Sequence, residues 1–465
     1  VNVAVRLRPT ERTFPAYLVA GALVAGALTV AVATRVGGPL APMLVVALPL
    51  APAVILAALA RPWLAIGFVF LSIPIGSTGL PNLPLQVVQG MILVAAVVLL
   101  MRRLAEGRVP LDWAVPLWWF LAFVAWAVVA LPSAADHPGA VRQTLLFGGE
   151  LLFAAVVVSV CDTPAKVRKA LAVLLVVASG IGVSTLAGGA NLRSQFGGSV
   201  VSGRAQGVFH QPNELGTFCA VTLLAAVGLA MGGATRRSRR AAAAIAAVLT
   251  VPLMLSLSRG AWIGVTCGVF GLAVMLPEAR RRLLSIGVPV LFLALVFGSF
   301  APSSPEVQVV SERAKSIVGE RNPYDDRPHI WAEGRREFLA DPWTGQGPGS
   351  FPVVAARSGS ETVTFYPQHA HDLLLTFAAE VGLPGVLLAV AFFGSAAGVV
   401  RRALRRLTAA GRTRDAALLA GLASAMIAIL GQGVIDYSLR SAVIFTTITG
   451  VLGCMLAMAR NTSSS

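Results

Sequence analysis

Stretches of about 20 apolar residues recur along the whole chain, and no other feature constrains its fold as much. A helix needs about 20 such residues to cross a hydrocarbon layer, and a backbone in lipid must satisfy its own hydrogen bonds. Windows of roughly 19 residues yield candidate spans at 15–34, 40–60, 62–76, 84–101, 113–131, 142–160, 168–189, 213–231, 241–257, 260–276, 283–300, 370–399, 415–435 and 441–459. The third is short and contains Pro74, and only the turn around Ser258, Arg259 and Gly260 separates the ninth from the tenth. The span count is therefore 12–14. The first run follows Arg6, Arg8 and Arg12 in the manner of a signal sequence. It is too long for a secretory apolar core of about 7–15 residues and is read as a span.

Composition agrees: 56% of the 465 residues are apolar or aromatic, 12% are charged, and the mean hydropathy is +0.78. Those values exclude a soluble enzyme with one core, a disordered chain and a nucleic-acid binder. The net charge of +16 then concerns topology first, because basic residues favour the cytoplasmic side of a membrane. Most Lys and Arg fall in alternate connections, among them Arg102/Arg103/Arg108, Arg236/Arg237/Arg239/Arg240 and Arg401/Arg402/Arg405/Arg406. The intervening connections hold only Arg35, Arg142, Arg193, Arg204, Arg259 and Arg440, with a further group in the long segment 301–368. The alternation runs through fourteen spans without reversal. It places both termini in the cytoplasm and makes 301–368 extracytoplasmic.

The predicted fold is all-α: a polytopic transmembrane helical bundle of 12–14 spans, with a large extracytoplasmic loop containing short amphipathic helices. Residues 1–300 form an N-terminal bundle of about eleven spans, 301–369 the loop, and 370–465 the C-terminal membrane helices. The four cysteines lie in or beside apolar runs with no C-x-x-C or Cys/His spacing, so they read as small buried hydrophobes.

All five histidines (His137, His210, His329, His369 and His371) fall in outward connections or at the outer mouth of a span. Histidine titrates near neutrality and serves as base, acid or ligand, so one-sided placement points to an outward reaction site. Four outward patches carry unusual polar groups. Arg204 to Glu214 includes His210 and leads into a span through Pro212 and Asn213, a capped helix start. Leu255 to Gly260 places Arg259 between two apolar runs, where an arginine either snorkels or binds an anion. In the loop, 306–318 reads as a short amphipathic helix, and Asp325 to Leu339 as the approach to a second one. Arg327, Trp331, Arg335 and Phe338 share one face of that helix, which suits a membrane interface with anionic headgroups. A glycine-rich turn, Asp341 to Phe351, follows. The fourth patch, Pro367 to Asp372, puts His369 and His371 at a helix mouth, and Pro384 between glycines marks a break further along. The two histidines could bind a metal or do acid–base chemistry. His-x-His without further ligands is poor zinc spacing; Asp325-Asp326 could contribute to a divalent site, but adjacent acids in a loop are usually just solvated.

Taken in order, these patches resemble the O-antigen ligase and O-antigen polymerase superfamily, bacterial membrane glycosyltransferases of the GT-C type. The matching residues are Gly207 to Asn213, Ser256 to Gly260, Arg327 ahead of Trp331, the Asp341–Phe351 turn, and His371, Asp372, Leu375, Glu380, Gly382 and Gly385. They cover roughly 200–385. Asp372 stands where asparagine is usual; it either raises the basicity of a nearby histidine or only caps a helix.

The resemblance implies a glycan donor on undecaprenyl pyrophosphate, a glycan or glycolipid acceptor, and transfer at the outer face of a bacterial cytoplasmic (inner) membrane. It implies inversion at the anomeric carbon, no metal and no cofactor. Arg259 and Arg327 would meet the leaving pyrophosphate, since guanidinium groups bind phosphate bidentately and stay charged. His371 would take the acceptor proton. Arg204, His369, Asn213, His210, Asp372 and Trp331 would complete substrate binding, and a lipid-facing groove beside 213–257 and 370–399 would take the isoprenoid tail. The competing class is a multi-span transporter or flippase of lipid-linked sugars, whose key polar residues belong near the membrane midplane. There Glu150 is the clearest acidic candidate.

Overall fold

The computed structural model describes residues 61–76, 87–107, 111–187, 204–282, 327–357 and 368–462. The candidate spans at 15–34, 40–60 and 283–300, the helix expected over 306–318, and Asp325-Asp326 lie outside those residues. Each of the other eleven candidates coincides with helix, and no strand occurs among the described residues. The helices are α1 (Trp63–Leu71), α2 (Ile73–Gly76), α3 (Val87–Ala105), α4 (Val115–Val129), α5 (His137–Val160), α6 (Pro164–Ala187), α7 (Pro212–Gly232) and α8 (Arg236–Leu255). They continue with α9 (Arg259–Met275), α10 (Pro277–Arg282), α11 (Arg327–Ala340), α12 (Phe351–Arg357), α13 (Leu373–Ala409), α14 (Thr413–Gly433) and α15 (Ala442–Arg460). Eight are long and apolar enough to cross a membrane; α1 with α2, α4 and α9 are shorter apolar helices.

Helix α15 shows why this chain packs as a bundle. Every residue from Ala442 to Ala459 is buried, as expected of a helix that is apolar all round, so it forms the centre. The peripheral helices do the reverse: Met101, Trp118, Leu145, Val176 and Phe270 are all exposed. Scattered outward apolar side chains on every side suit a bilayer and would be a liability in water. One core joins residues from Ala65 to Ala459, so the helices before and after the loop share a single interior.

Close helix approach uses small residues, because lipid supplies no hydrophobic drive between helices. A Cβ on Gly421 of α14 would lie 2.2 Å from the Gly228 Cα of α7, and one on Gly264 of α9 would lie 2.5 Å from the Ala428 carbonyl of α14. Helix α14 is thereby wedged between α7 and α9. Two polar links reinforce the bundle. The Thr446 hydroxyl donates to buried Glu150 at 2.6 Å, tying α15 to α5. Arg168 donates to Asp415 at 2.5 Å and to the Gly232 carbonyl at 3.0 Å, joining α6, α14 and α7.

One boundary differs in detail from the sequence reading. Helix α7 begins at Pro212 with Gln211 as N-cap; Asn213 does not cap it, and its side chain is used elsewhere. The break expected around Pro384 is a kink: α13 bends at Gly382 (φ 68°) and runs on to Ala409. Proline is tolerated there because the kink makes it a first-turn residue, whose missing N–H costs nothing.

Candidate active site

Backbone turns at one end of the bundle bring residues from several of the polar patches together. At the α8–α9 junction, the Ser256 hydroxyl donates back to the Leu253 carbonyl (2.7 Å), and the Ser258 hydroxyl caps α9 by accepting from Ala261 N–H (3.3 Å). Leu257 between them has φ 48°. The Ser-Leu-Ser-Arg-Gly sequence is therefore a tight re-entry turn that leaves Arg259 on the first residue of α9. Gly260 abuts Asp436: a Cβ there would stand 3.5 Å from the Asp436 Cβ and 3.2 Å from Gln432. Arg204 joins this turn by donating from Nε to the Ser256 carbonyl (3.0 Å) and from Nη2 to Asn213 Oδ1 (2.6 Å).

His371 stands opposite, just before α13, whose N-cap is Asp372: its Oδ1 accepts from Leu375 N–H at 2.7 Å. Of the two roles open to Asp372, this bond describes the cap. His371 has φ 51°, a left-handed conformation that non-glycine residues adopt rarely and that concentrates at functional sites. Its backbone N–H donates to His369 Nδ1 (3.1 Å), and its ring Nδ1 lies 3.2 Å from Asp436 Oδ1. With the carboxylate accepting from Nδ1–H, the His371 Nε2 lone pair is left for a substrate proton. His369 Nδ1 acts as acceptor, so the His369 proton sits on Nε2. The two rings meet edge-on with centroids 4.2 Å apart, and His369 in turn meets Tyr437 at 5.4 Å.

Asp436 is a residue the sequence reading missed. It is buried in the α14–α15 connection and also accepts from Tyr437 N–H at 2.9 Å. Behind it, Gln432 Nε2 donates to Thr217 (2.6 Å) and Ser438 (3.1 Å). Burial raises the affinity of Asp436 for a proton. The His371 hydrogen bond and the positive charges of His371, His369 and Arg327 outweigh burial and hold the carboxyl well below its usual range. Burial, with His371 beside it, pushes His369 well below its ordinary value. A neutral His369 contributes little to the Asp436 shift, which leaves the His371 hydrogen bond and the Arg327 charge to sustain it. Arg327 thus acts electrostatically on both His369 and Asp436.

The turn and glycine motifs hold the loop on the bundle. Asp341 accepts from Trp343 N–H, Thr344 N–H and the Thr344 hydroxyl. Gln346 N–H donates to the Ala379 carbonyl and Leu383 N–H to the Pro342 carbonyl, each at 2.8 Å. At Gly382 a Cβ would lie 2.1 Å from the Trp343 carbonyl oxygen, so that position demands glycine twice over. Arg440, also unassigned from sequence, donates to the Gln368 and Gly349 carbonyls and lies 3.6 Å from Glu380. On this platform α11 crosses α13 at Gly334, whose Cβ would meet Leu375 at 3.0 Å. Ile330, Gly334 and Glu337 face inward while Trp331 and Arg335 face out. His210 is exposed and its backbone N–H donates to Glu214.

The structure thus joins His371 and His369 with Asp436 and within reach of the Arg327 charge. The turn that carries Arg259, joined by Arg204 and Asn213, approaches Asp436 through Gly260. His210 and Trp331 have no described contact with that cluster. The ligand atoms of His369, His371 and Asp436 lie within 4.8 Å of one another and could hold a metal ion. The Arg327 charge opposes a cation there.

Residues 242–390 match the family model described as O-antigen ligase, which bears out the superfamily resemblance read from the motifs. No curated protein matches the chain. A chain in the solved structure "Structural coordination of polymerization and crosslinking by a peptidoglycan synthase complex" aligns over 76% of this chain and 99% of its own length. It is 18% identical with a TM-score of 0.43, a likeness too slight to support an argument.

Proposed function

We propose that this multi-pass membrane chain, carrying an O-antigen ligase domain, transfers a glycan from undecaprenyl pyrophosphate to an acceptor hydroxyl. The site would face the periplasm or exterior, with both termini in the cytoplasm. One observation carries the reading: a histidine buttressed by a buried aspartate lies under the charge of Arg327, next to the turn that carries Arg259. In the reaction, His371 Nε2 takes the acceptor proton as the hydroxyl oxygen attacks the anomeric carbon. The bond from that carbon to the pyrophosphate oxygen breaks on the opposite face, so the configuration inverts. The departing pyrophosphate gains negative charge, which Arg327 and Arg259 meet, with Arg204 orienting the turn that carries Arg259. Preorganised charge at a site shielded from water is commonly the largest catalytic contribution. Asp436 holds the His371 tautomer and stabilises the imidazolium that forms. The acceptor is a glycan or glycolipid, and no metal is required because the guanidinium groups supply the positive charge.

The test uses Arg259→Ala, Arg327→Ala and His371→Ala in purified protein given a polyprenyl-pyrophosphate-linked glycan. Each is expected to lower turnover at least about 100-fold while insertion and thermal stability hold. Wild-type turnover in all three would reject the assignment.

A further inference from the structure

An apolar cavity of about 540 Å³ lies between α4, α5, α9, α13, α14 and α15 and extends from Phe377 and Leu439 to Arg401 and Arg405. Val274 and Leu430 on its lining are exposed, so it opens sideways to the surroundings of the bundle. An apolar groove in a bilayer fills with a hydrocarbon chain, because an empty one forfeits dispersion contacts and a wet one leaves water unbonded.

Which chain fills it is decided by the arginine end. Arg401 and Arg405 are four residues apart on α13, both exposed, and have no acidic or hydrogen-bond partner among the described residues. Like charges at that spacing repel, and an anion between them reverses the sign. Asp415, an acid at the same end of the bundle, is already engaged by Arg168 and Arg412. Beyond the kink at Gly382, the run from Leu383 to Arg401 covers 18 residues, roughly 27 Å at 1.5 Å per residue, which leaves Arg401 far beyond reach of a pyrophosphate held near His371. The headgroup at these arginines therefore belongs to a lipid of the opposite leaflet. We propose that this groove is a binding site for an anionic phospholipid, its acyl chain in the cavity and its phosphate between Arg401 and Arg405. The assignment to the inner leaflet rests on the orientation proposed above; the ligand chemistry does not.

The experiment titrates the full chain, purified in mild detergent and stripped of lipid, with phosphatidylglycerol or phosphatidylcholine of the same acyl chains, read by native mass spectrometry. Phosphatidylglycerol is expected to occupy one site at least about tenfold more tightly. Arg401→Gln with Arg405→Gln should bring it to the phosphatidylcholine level, and Ala396→Trp, which fills the cavity, should remove both lipids. Arg236→Gln with Arg240→Gln, at another basic helix end, should change nothing. Equal binding of the two lipids would overturn the proposal, as would equal loss in the Arg236/Arg240 variant. So would a polyprenyl lipid as the sole occupant of the groove. No variant lies at the His371 end and no turnover is needed, so the result is independent of the transfer assay.

Discussion

His371 is held in a left-handed backbone conformation that costs a non-glycine residue on the order of 1–2 kcal/mol. Two bonds maintain it: His369 receives its N–H, and Asp436 faces its ring. Asp436→Asn keeps the shape but can present an N–H to Nδ1, which favours the wrong tautomer. Turnover is expected to fall by on the order of 100-fold or more, with KM little changed and an altered pH–rate profile. An unaltered pH–rate profile with full turnover would remove Asp436 from the mechanism. This residue was not legible in the sequence. It lies 65 positions beyond His371, in a short connection with no motif spacing, and only folding places it there. His369 and His371, by contrast, stood out because two histidines at a span mouth are uncommon company for apolar residues.

At the scale of elements, the loop helix α11 and the kinked helix α13 form one unit. Gly382→Ala would force a Cβ to within 2.1 Å of the Trp343 carbonyl at a φ of 68°. The expected result is loss of the α11–α13 docking, measured as a lower thermal midpoint and faster proteolysis at 327–357, with activity falling because Arg327 loses its position. Glu337 on the inward face of α11 adds a pH dependence. Burial, then the neighbouring charges of Glu333 and Glu380, raises it to about 9, with Arg336 opposing. The docked helix therefore keeps a proton that the undocked one releases above the ordinary carboxylate value. Docking is fully supported below that value and weakens as pH rises through about 9. Glu337→Gln should flatten this alkaline loss in thermal unfolding; an identical pH profile would contradict it. The glycine motifs were visible in the sequence as turns, but their purpose was not. Gly345 and Gly382 matter through the Glu380 and Trp343 backbone they face, some forty positions away, and Gly347 and Gly349 through Ala134 and Gly139, far earlier in the chain.

At the scale of the whole molecule, the proposed site lies at one end of the described bundle, and that placement favours the proposed transferase over a carrier. A transporter needs its substrate groups near the midplane, where Glu150 is engaged by Thr446. In detergent, with no second compartment, the chain is expected to consume a lipid-linked pyrophosphate glycan and release polyprenyl pyrophosphate. Binding without consumption would favour the transporter. Hydropathy alone determined the all-α membrane architecture and the helix positions, since a 20-residue apolar run in lipid has few alternatives to a helix. The same linear record showed that polar patches interrupt the apolar runs. Only the tertiary structure decided which of them meet. Site geometry depends on pairs distant in sequence, such as His371 with Asp436 and Gly260 with Gln432, and such contacts are set by close helix packing at small residues rather than by any local pattern.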